Sequence, residues 1–348
     1  MTDKEIFDVT IIGGGPAGLY SAFYSGLREL KTKIIEFQPQ LGGKIHIYPE
    51  KMIWDVGGQT PISGADLIKQ LTQQGLTFNP TVVLNERVTS ISKDDEGLFW
   101  LRTAAGQEHF SKTIIVAVGS GILKPQKLHI EGAERFEVSN LHYTVKSLKY
   151  FKDRTVIISG GGNTAIDWAN ELVPIAKEVY VTHRKPTFSG HEAQITQLLN
   201  SSARCMLNTT ITKLIAGSNH ETIDQVEITN QQTGEIQYIN VDDVVINHGF
   251  EQDSTLLNNS MIDINLMDGF YIEGNSFSES SVKGLYAAGD IIKYDGKLNL
   301  IAGTFQDAAN AVNKAKQFIE PGANEVAMVS SHNEVFKQRN RELIKKMI

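Results

Sequence analysis

Two glycine runs limit what this chain can fold into more than anything else in it. Residues 9–18 read VTIIGGGPAG and residues 156–165 read VIISGGGNTA. In each, a β-branched run passes straight into GxGxxG or GxGxxA. The first holds Gly13, Gly15 and Gly18, with Pro16 and Ala17 between the last two; the second holds Gly160, Gly162 and Ala165, with Asn163 and Thr164 in the same place. Both patterns meet one physical need: a tight strand-to-helix turn, a bare backbone that a pyrophosphate can approach, and a small residue where helix meets strand. The helix N-terminus then offers free N–H groups and the positive end of its dipole to the anion. One such run can be an ordinary turn. Two in strand-turn-helix context imply two nucleotides on one chain, most simply a flavin and a nicotinamide.

The 348 residues suit two domains, and 41% hydrophobic residues are enough for a core in each. A net charge of −7 argues against a nucleic-acid partner, which needs basic surface. No apolar run reaches transmembrane length, so no membrane partner is expected. The N-terminus MTDKEIFDVT leads into the first strand without the apolar core of a signal peptide, so a cytoplasmic location is expected. The single cysteine, Cys205, rules out an intrachain disulfide and a dithiol relay within the monomer.

KTKIIEF (31–37) reads as the second strand of the first nucleotide unit and places Glu36 about 20 residues after the glycines, where a carboxylate binds ribose hydroxyls. Residues 38–58 are rich in glycine and aromatics, lack a sustained period, and look like a loop wrapped around a ligand. An antiparallel ribbon follows and closes on a buried strand at 114–118. A second cycle starts near 153 as strand, glycine turn, helix and strand, then repeats the ribbon over 210–246. IIVAVGSG and VVINHGF close the two ribbons alike, so the chain looks internally duplicated. KGLYAAGDI (283–291) reads as a buried strand followed by Gly289 and Asp290, and 303–319 as an amphipathic helix. The expected fold is α/β, with two nested Rossmann-like three-layer domains. Residues 1–119 and 249–348 would form a discontinuous FAD domain, and 120–248 an inserted NADPH domain.

The second strand of the inserted unit ends VYVTHRKPTF, with His183, Arg184 and Lys185 where a carboxylate would hold a free ribose 2′-hydroxyl. Such a cluster attracts a 2′-phosphate, which favours NADPH over NADH. A solvated basic turn is the alternative. The first unit, with Glu36, then takes FAD through its ADP half.

IIGGGPAG, PQLGG, VIISGGGNTAID, VYVTHRK and YAAGDI together resemble the thioredoxin-reductase-like group of two-dinucleotide flavoproteins, over nearly the whole chain. Thioredoxin reductases carry a CxxC just before the second glycine run, where this chain has VSNLHYTV (138–145). The closest resemblance is to the ferredoxin–NADP reductase branch, through IYPEKMIWDVGGQTPISGADLI (47–68) and GKLNLIAGTFQDAANAVNKAK (296–316). That resemblance implies hydride transfer between NADPH and FAD, coupled to one-electron transfer to or from ferredoxin or flavodoxin. It assigns no catalytic acid, base or metal ligand.

By the same resemblance Tyr48 stacks on the flavin ring, although a tyrosine in an apolar segment is usually core packing. Glu36 and Lys44 line the ADP and ribitol portion, with Lys44 standing where LGGQ usually has glutamine. Val88 gives a backbone contact on the adenine side, Leu123 an apolar flavin contact, and Asp290 binds ribitol. In the tail SSHNEVFKQR (330–339), Ser331 falls at the position of a flavin-covering ring and His332 one later, so either the register slips or the cover differs. A mobile terminus is the alternative. Because such tails cover the partner subunit's flavin, a homodimer is implied.

An acidic ferredoxin would dock on Lys124, Lys127, Lys146, Lys149 and Lys152, or on the terminal KQRNRELIKK, unless these are only solvated faces. Two rival functions stand beside this one. A low-molecular-weight disulfide reductase would place a cysteine in the first glycine loop, where this chain has Ala17; Cys205 falls in a helix-like stretch and reads as a buried thiol. A non-catalytic flavin-bound redox sensor could carry the same glycine runs.

Overall fold

The computed structural model describes residues 4–121 and 124–347. Two compact units divide the chain: Met1–His46, Lys51–Ile122 and Gln252–Ile348 form the first, and Ile47–Glu50 with Leu123–Glu251 the second. The crossings fall at 122/123 and 251/252, a few residues beyond 119/120 and 248/249. The short piece Ile47–Glu50 groups with the second unit.

In the first unit the strand Ile6–Ile12 lies between Thr32–Ile35 and Glu108–Val116, parallel to both, and Thr81–Val83 extends the sheet beyond Thr32–Ile35. Such strands are covered on both faces, so they are nearly continuous in Ile and Val rather than alternating. Glu108–Val116 carries two kinds of partner. Its first half pairs antiparallel with Phe99–Thr103, and its end, Ile114–Val116, pairs parallel with Leu285–Ala287. The returning chain thereby rejoins the sheet it left before the second unit. Helix Pro16–Leu27 packs on helix Ile301–Ile319.

The second unit repeats this plan. Its parallel sheet runs Leu141–His142, Asp243–Ile246, Thr155–Ser159, Glu178–His183, Arg204–Leu207. One core joins the sheet to helix Asn163–Leu172 through Ile158, Ile166, Trp168 and Leu172; the other joins it to the ribbon Thr209–Ala216, Ile223–Asn230, Ile236–Asn240 through Ile157, Val226, Ile228 and Val244. Helix, sheet and ribbon make the three layers.

The duplication extends to individual hydrogen bonds. Gly13 N–H donates to Ile35 O at 2.8 Å, and Gly160 N–H to Thr182 O at 2.9 Å. Ala117 N–H donates to Ile12 O and Asn247 N–H to Ser159 O, both at 2.8 Å.

One expectation is corrected here. Cys205 is not helical: it lies on the edge strand Arg204–Leu207, opposite Val181. Helix Glu192–Leu199 ends at Asn200, where Ser201 Oγ turns back to donate to Leu198 O, and the open edge of the parallel sheet takes up the residues that follow. Among the described residues no helix is long and apolar enough to cross a membrane.

Candidate functional site

The first glycine run forms the floor of a cradle. Gly13 has φ +108°, and a Cβ there would run into Ala117 O of the neighbouring strand; one at Gly18 would run into Gly13 O. Gly15 differs, because its nearest neighbour would be Gly43 Cα at 3.6 Å, so this stretch of main chain stays open. Pro16 opens the helix and has no N–H to leave unpaired, while no side chain caps the amides behind it. Gly42 N–H donates to Gly14 O at 2.8 Å and ties the LGG loop to the turn.

Glu36 follows directly on strand Thr32–Ile35 and is only 6% exposed. Its carboxylate accepts the Gly14 N–H at 2.5 Å and the Gln38 N–H at 2.7 Å. Two charge-assisted bonds thus hold a buried anion at the cradle, with acceptor capacity left for ribose hydroxyls. Gly289, at φ +81°, would place a Cβ 3.1 Å from that of Ala17. This contact brings the exposed Asp290 to the first glycine run although the two are far apart in sequence.

The remaining residues expected at this site are spread more widely. Val88 is buried in the core, so its main chain is the part available to a ligand. Lys44 is exposed on the short turn Gly43–Ile47. Tyr48 belongs to the second unit, packed against the core that contains Phe151 and Trp168. Its segment is held there by Thr144 Oγ1, which donates to Ile47 O at 2.8 Å, and by Leu148 N–H, which donates to Glu50 at 2.7 Å. Ser331 and His332 lie exposed on a short turn, and the Phe336 ring reaches Phe78 at 5.3 Å. Leu123 lies outside the described residues.

The second glycine run has the same build. A Cβ on Gly160 would stand 2.5 Å from Asn247 O and 2.9 Å from that of Ala165, whereas one on Gly162 would meet nothing within 4 Å. Asn163 and Thr164 are exposed at the helix start, and Asn163 Oδ1 accepts the His191 N–H at 2.8 Å. Ser189 N–H donates to Gly161 O at 2.8 Å, so residues 189–191 fold against the turn.

The register puts His183 where the first unit has Glu36, one residue beyond the last strand pair in each case. Its ring presses on Gly161 and stacks on Phe188 at 5.8 Å. Burial pushes its pKa down, and Lys185 and Arg184 push the same way. His183 is therefore an uncharged filler of the turn. The exposed Arg184 and Lys185 bear the positive charge. His248, hydrogen-bonded to Ser159 Oγ at 2.9 Å, is likewise pushed down by burial and then by Arg184, His129 and His183.

Several neighbours of the first cradle were not singled out as site residues by the sequence. Helix Ile301–Ile319 starts without a side-chain cap beside the turn Gly289–Ile291, and Thr304 lies against Gly289. Asp307, one turn further on, accepts the Gly289 N–H at 3.0 Å. Its only sequence cue was an acid on the apolar side of an amphipathic helix. Cys205 is half-buried and its thiol is pushed up by burial, as suits an inert thiol.

Fold and cradles together define a protein of two Rossmann-like units with glycine turns of one design, one lined by a carboxylate and the other by basic residues. Residues 7–315 match the family described as pyridine nucleotide-disulphide oxidoreductase. The chain belongs to that family and, within it, to the ferredoxin–NADP reductases of thioredoxin-reductase-like fold. It is 72% identical over 348 residues to "Ferredoxin--NADP reductase 1" of Bacillus mycoides (strain KBAB4), covering 100% of both chains. It is 67% identical to "Ferredoxin--NADP reductase 2" of Exiguobacterium sibiricum, covering 100% of this chain and 99% of the relative. Among solved structures it is similar to the thioredoxin reductase of Lactococcus lactis, with TM-score 0.76 and 23% identity over 90% of this chain and 99% of that one. The bacillithiol disulfide reductase Bdr of Staphylococcus aureus gives TM-score 0.70 and 21% identity over 92% and 100%. At these identities the likeness is one of fold.

Proposed function

We propose that the protein is an FAD-dependent ferredoxin–NADP reductase, with FAD on the first unit and NADPH on the second. One observation carries the reading: two cradles with matching hydrogen bonds carry opposite charge after the second strand, Glu36 in one and His183 followed by Arg184 and Lys185 in the other. The buried carboxylate suits ribose hydroxyls. The exposed cations suit a 2′-phosphate.

Bound FAD supplies the chemistry that converts a hydride from NADPH into single electrons for ferredoxin or flavodoxin. The chain's own part is to bind and orient. The open main chain at Gly15 and Gly162 admits the pyrophosphates, and Glu36 and Asp290 fix the FAD hydroxyls. Val88 contributes its main chain and Lys44 flanks the flavin. Asn163, Thr164 and Ala165 form the helix start that receives the NADPH phosphates. Ala17, at the slot where a disulfide reductase of this shape would carry a thiol, leaves no nucleophile in the first glycine run. The physiological unit is a homodimer in the cytoplasm, with Ser331 or His332 of one subunit over the partner's flavin.

Docking of an acidic ferredoxin falls to Lys146, Lys149 and Lys152, which are exposed and unpaired among the described residues. Lys124 is paired with Glu251 at 2.8 Å and Lys127 with Glu137 at 2.7 Å, so these two offer less free charge. The test is NADPH-driven cytochrome c reduction by the FAD-loaded protein with and without ferredoxin, beside a thioredoxin-plus-disulfide control. Strong stimulation by ferredoxin without disulfide turnover is expected. Disulfide turnover would overturn the reading.

A further inference from the structure

Asp307 lies on helix Ile301–Ile319 with its side chain 1% exposed, and Lys297, 5% exposed, meets it at 2.6 Å. The carboxylate takes three donors. Lys297 Nζ and the Gly289 N–H share Oδ2, at 2.6 and 3.0 Å, while Tyr294 O–H donates to Oδ1 at 2.7 Å. Burial and then the Asp307 carboxylate push the Tyr294 hydroxyl far up, so it remains a donor. Ser278 Oγ donates to Asp307 O at 2.9 Å and fixes the main chain at the same point.

A buried ion pair is a poor stabiliser, because desolvation offsets most of the attraction and apolar replacements are often neutral. What it does well is hold a geometry. The group held here is the N–H of Gly289, whose φ of +81° sets the turn that seats Gly289 against Ala17 and leads into Asp290. Without an acceptor that N–H would be buried and unpaired, and the main chain would turn to satisfy it.

We propose that Asp307, charge-paired with Lys297 and hydrogen-bonded by Tyr294, is the positioning residue of the FAD site: it locks the Gly289 turn so that Asp290 meets the ribitol hydroxyls in one orientation. This rests on the reading that the first unit holds FAD. Asp307 and Lys297 are both buried side chains. Their effect passes through one main-chain amide.

The test uses the full chain freed of flavin, titrated with FAD by fluorescence quenching. Alongside it run the unfolding temperature of the apoprotein, 2′,5′-ADP binding, and the shape of the bound flavin's visible bands. The double variant Lys297→Met/Asp307→Leu removes both charges together, so no buried charge is left alone, and it deprives Gly289 of its acceptor. It should weaken FAD by about tenfold or more and blur the visible bands, a larger loss than any fall in the apoprotein's unfolding temperature accounts for, while 2′,5′-ADP binding holds. Tyr294→Phe keeps the carboxylate and should weaken FAD by no more than about threefold.

FAD binding by the double variant equal to that of the unaltered protein would overturn the proposal. So would losses of FAD that simply track apoprotein stability across both variants, since that is structural support and not positioning. Failure of the unaltered apoprotein to bind FAD would instead remove the reading on which the inference rests, and the inference with it.

Discussion

Glu36→Gln is nearly isosteric, so its effect isolates the carboxylate. In the folded chain both oxygens are in use, one accepting from Gly14 and one from Gln38, on a side chain 6% exposed. Glutamine supplies one acceptor and turns its NH₂ toward the other N–H, leaving that main-chain donor unpaired beside another donor. Losing one charge-assisted bond and orphaning its partner costs about 2–4 kcal/mol. At about 2–4 °C per kcal/mol for a unit of this size, the apoprotein transition of the first unit should fall by roughly 5–15 °C. The ribose loses a charged acceptor as well, worth about 1.5–3 kcal/mol, so the FAD dissociation constant should rise by about 10- to 150-fold. Scanning fluorimetry of the apoprotein gives the first quantity and flavin fluorescence titration the second. Binding of 2′,5′-ADP serves as a control that should not change. If both the transition and the FAD affinity stay where they were, the carboxylate is not an acceptor in this turn and the argument from its burial fails.

Arg184→Glu should weaken NADPH by roughly 30-fold and NADH much less, because only NADPH carries the 2′-phosphate; equal losses by titration would sink the assignment of the second unit. His109, His183 and His248 are all pushed down, chiefly by burial, so the folded protein keeps them neutral where the unfolded chain takes up protons. Stability should therefore be full above the ordinary histidine value of about 6.5 and drain as the pH falls through the lower folded values. Denaturant melts of a His183→Gln/His248→Gln variant should show a shallower loss over that range; an unchanged slope would mean these rings protonate freely in the fold. Replacing Lys146, Lys149 and Lys152 with glutamine should slow ferredoxin-dependent turnover at low salt and flatten its salt dependence, leaving FAD and NADPH affinities alone. Turnover with the same salt dependence as before would move docking to another surface.

What the residues disclose in advance is what local geometry dictates. Glycines at a strand-to-helix turn, a proline at a helix start and a strand ending one residue before Glu36 are all written within short windows, so the two cradles and the duplication are legible in the sequence. The lack of a dithiol is legible too, because one cysteine cannot pair with itself. The course of short segments is less so. Cys205 has the apolar neighbours of a helix, yet it joins an open sheet edge whose hydrogen-bonding groups need a partner. Ile47–Glu50 reads as part of a loop over the first cradle, but two hydrogen bonds, from Thr144 and from Leu148, hold it in the second unit.

His183 shows the same divide at the scale of one side chain. Its place in the motif suggests a cation, and only the packing against Gly161 and Phe188 makes it a neutral ring. The sequence alone thus determined the class of fold, the two glycine turns and which of them is followed by basic residues, because main-chain turns are encoded by the residues that make them. The tertiary structure decided which charges are buried, which are free, and that Asp307 sits under the Gly289 turn. Those facts depend on side chains from distant elements meeting in space, and no short window of sequence contains both partners.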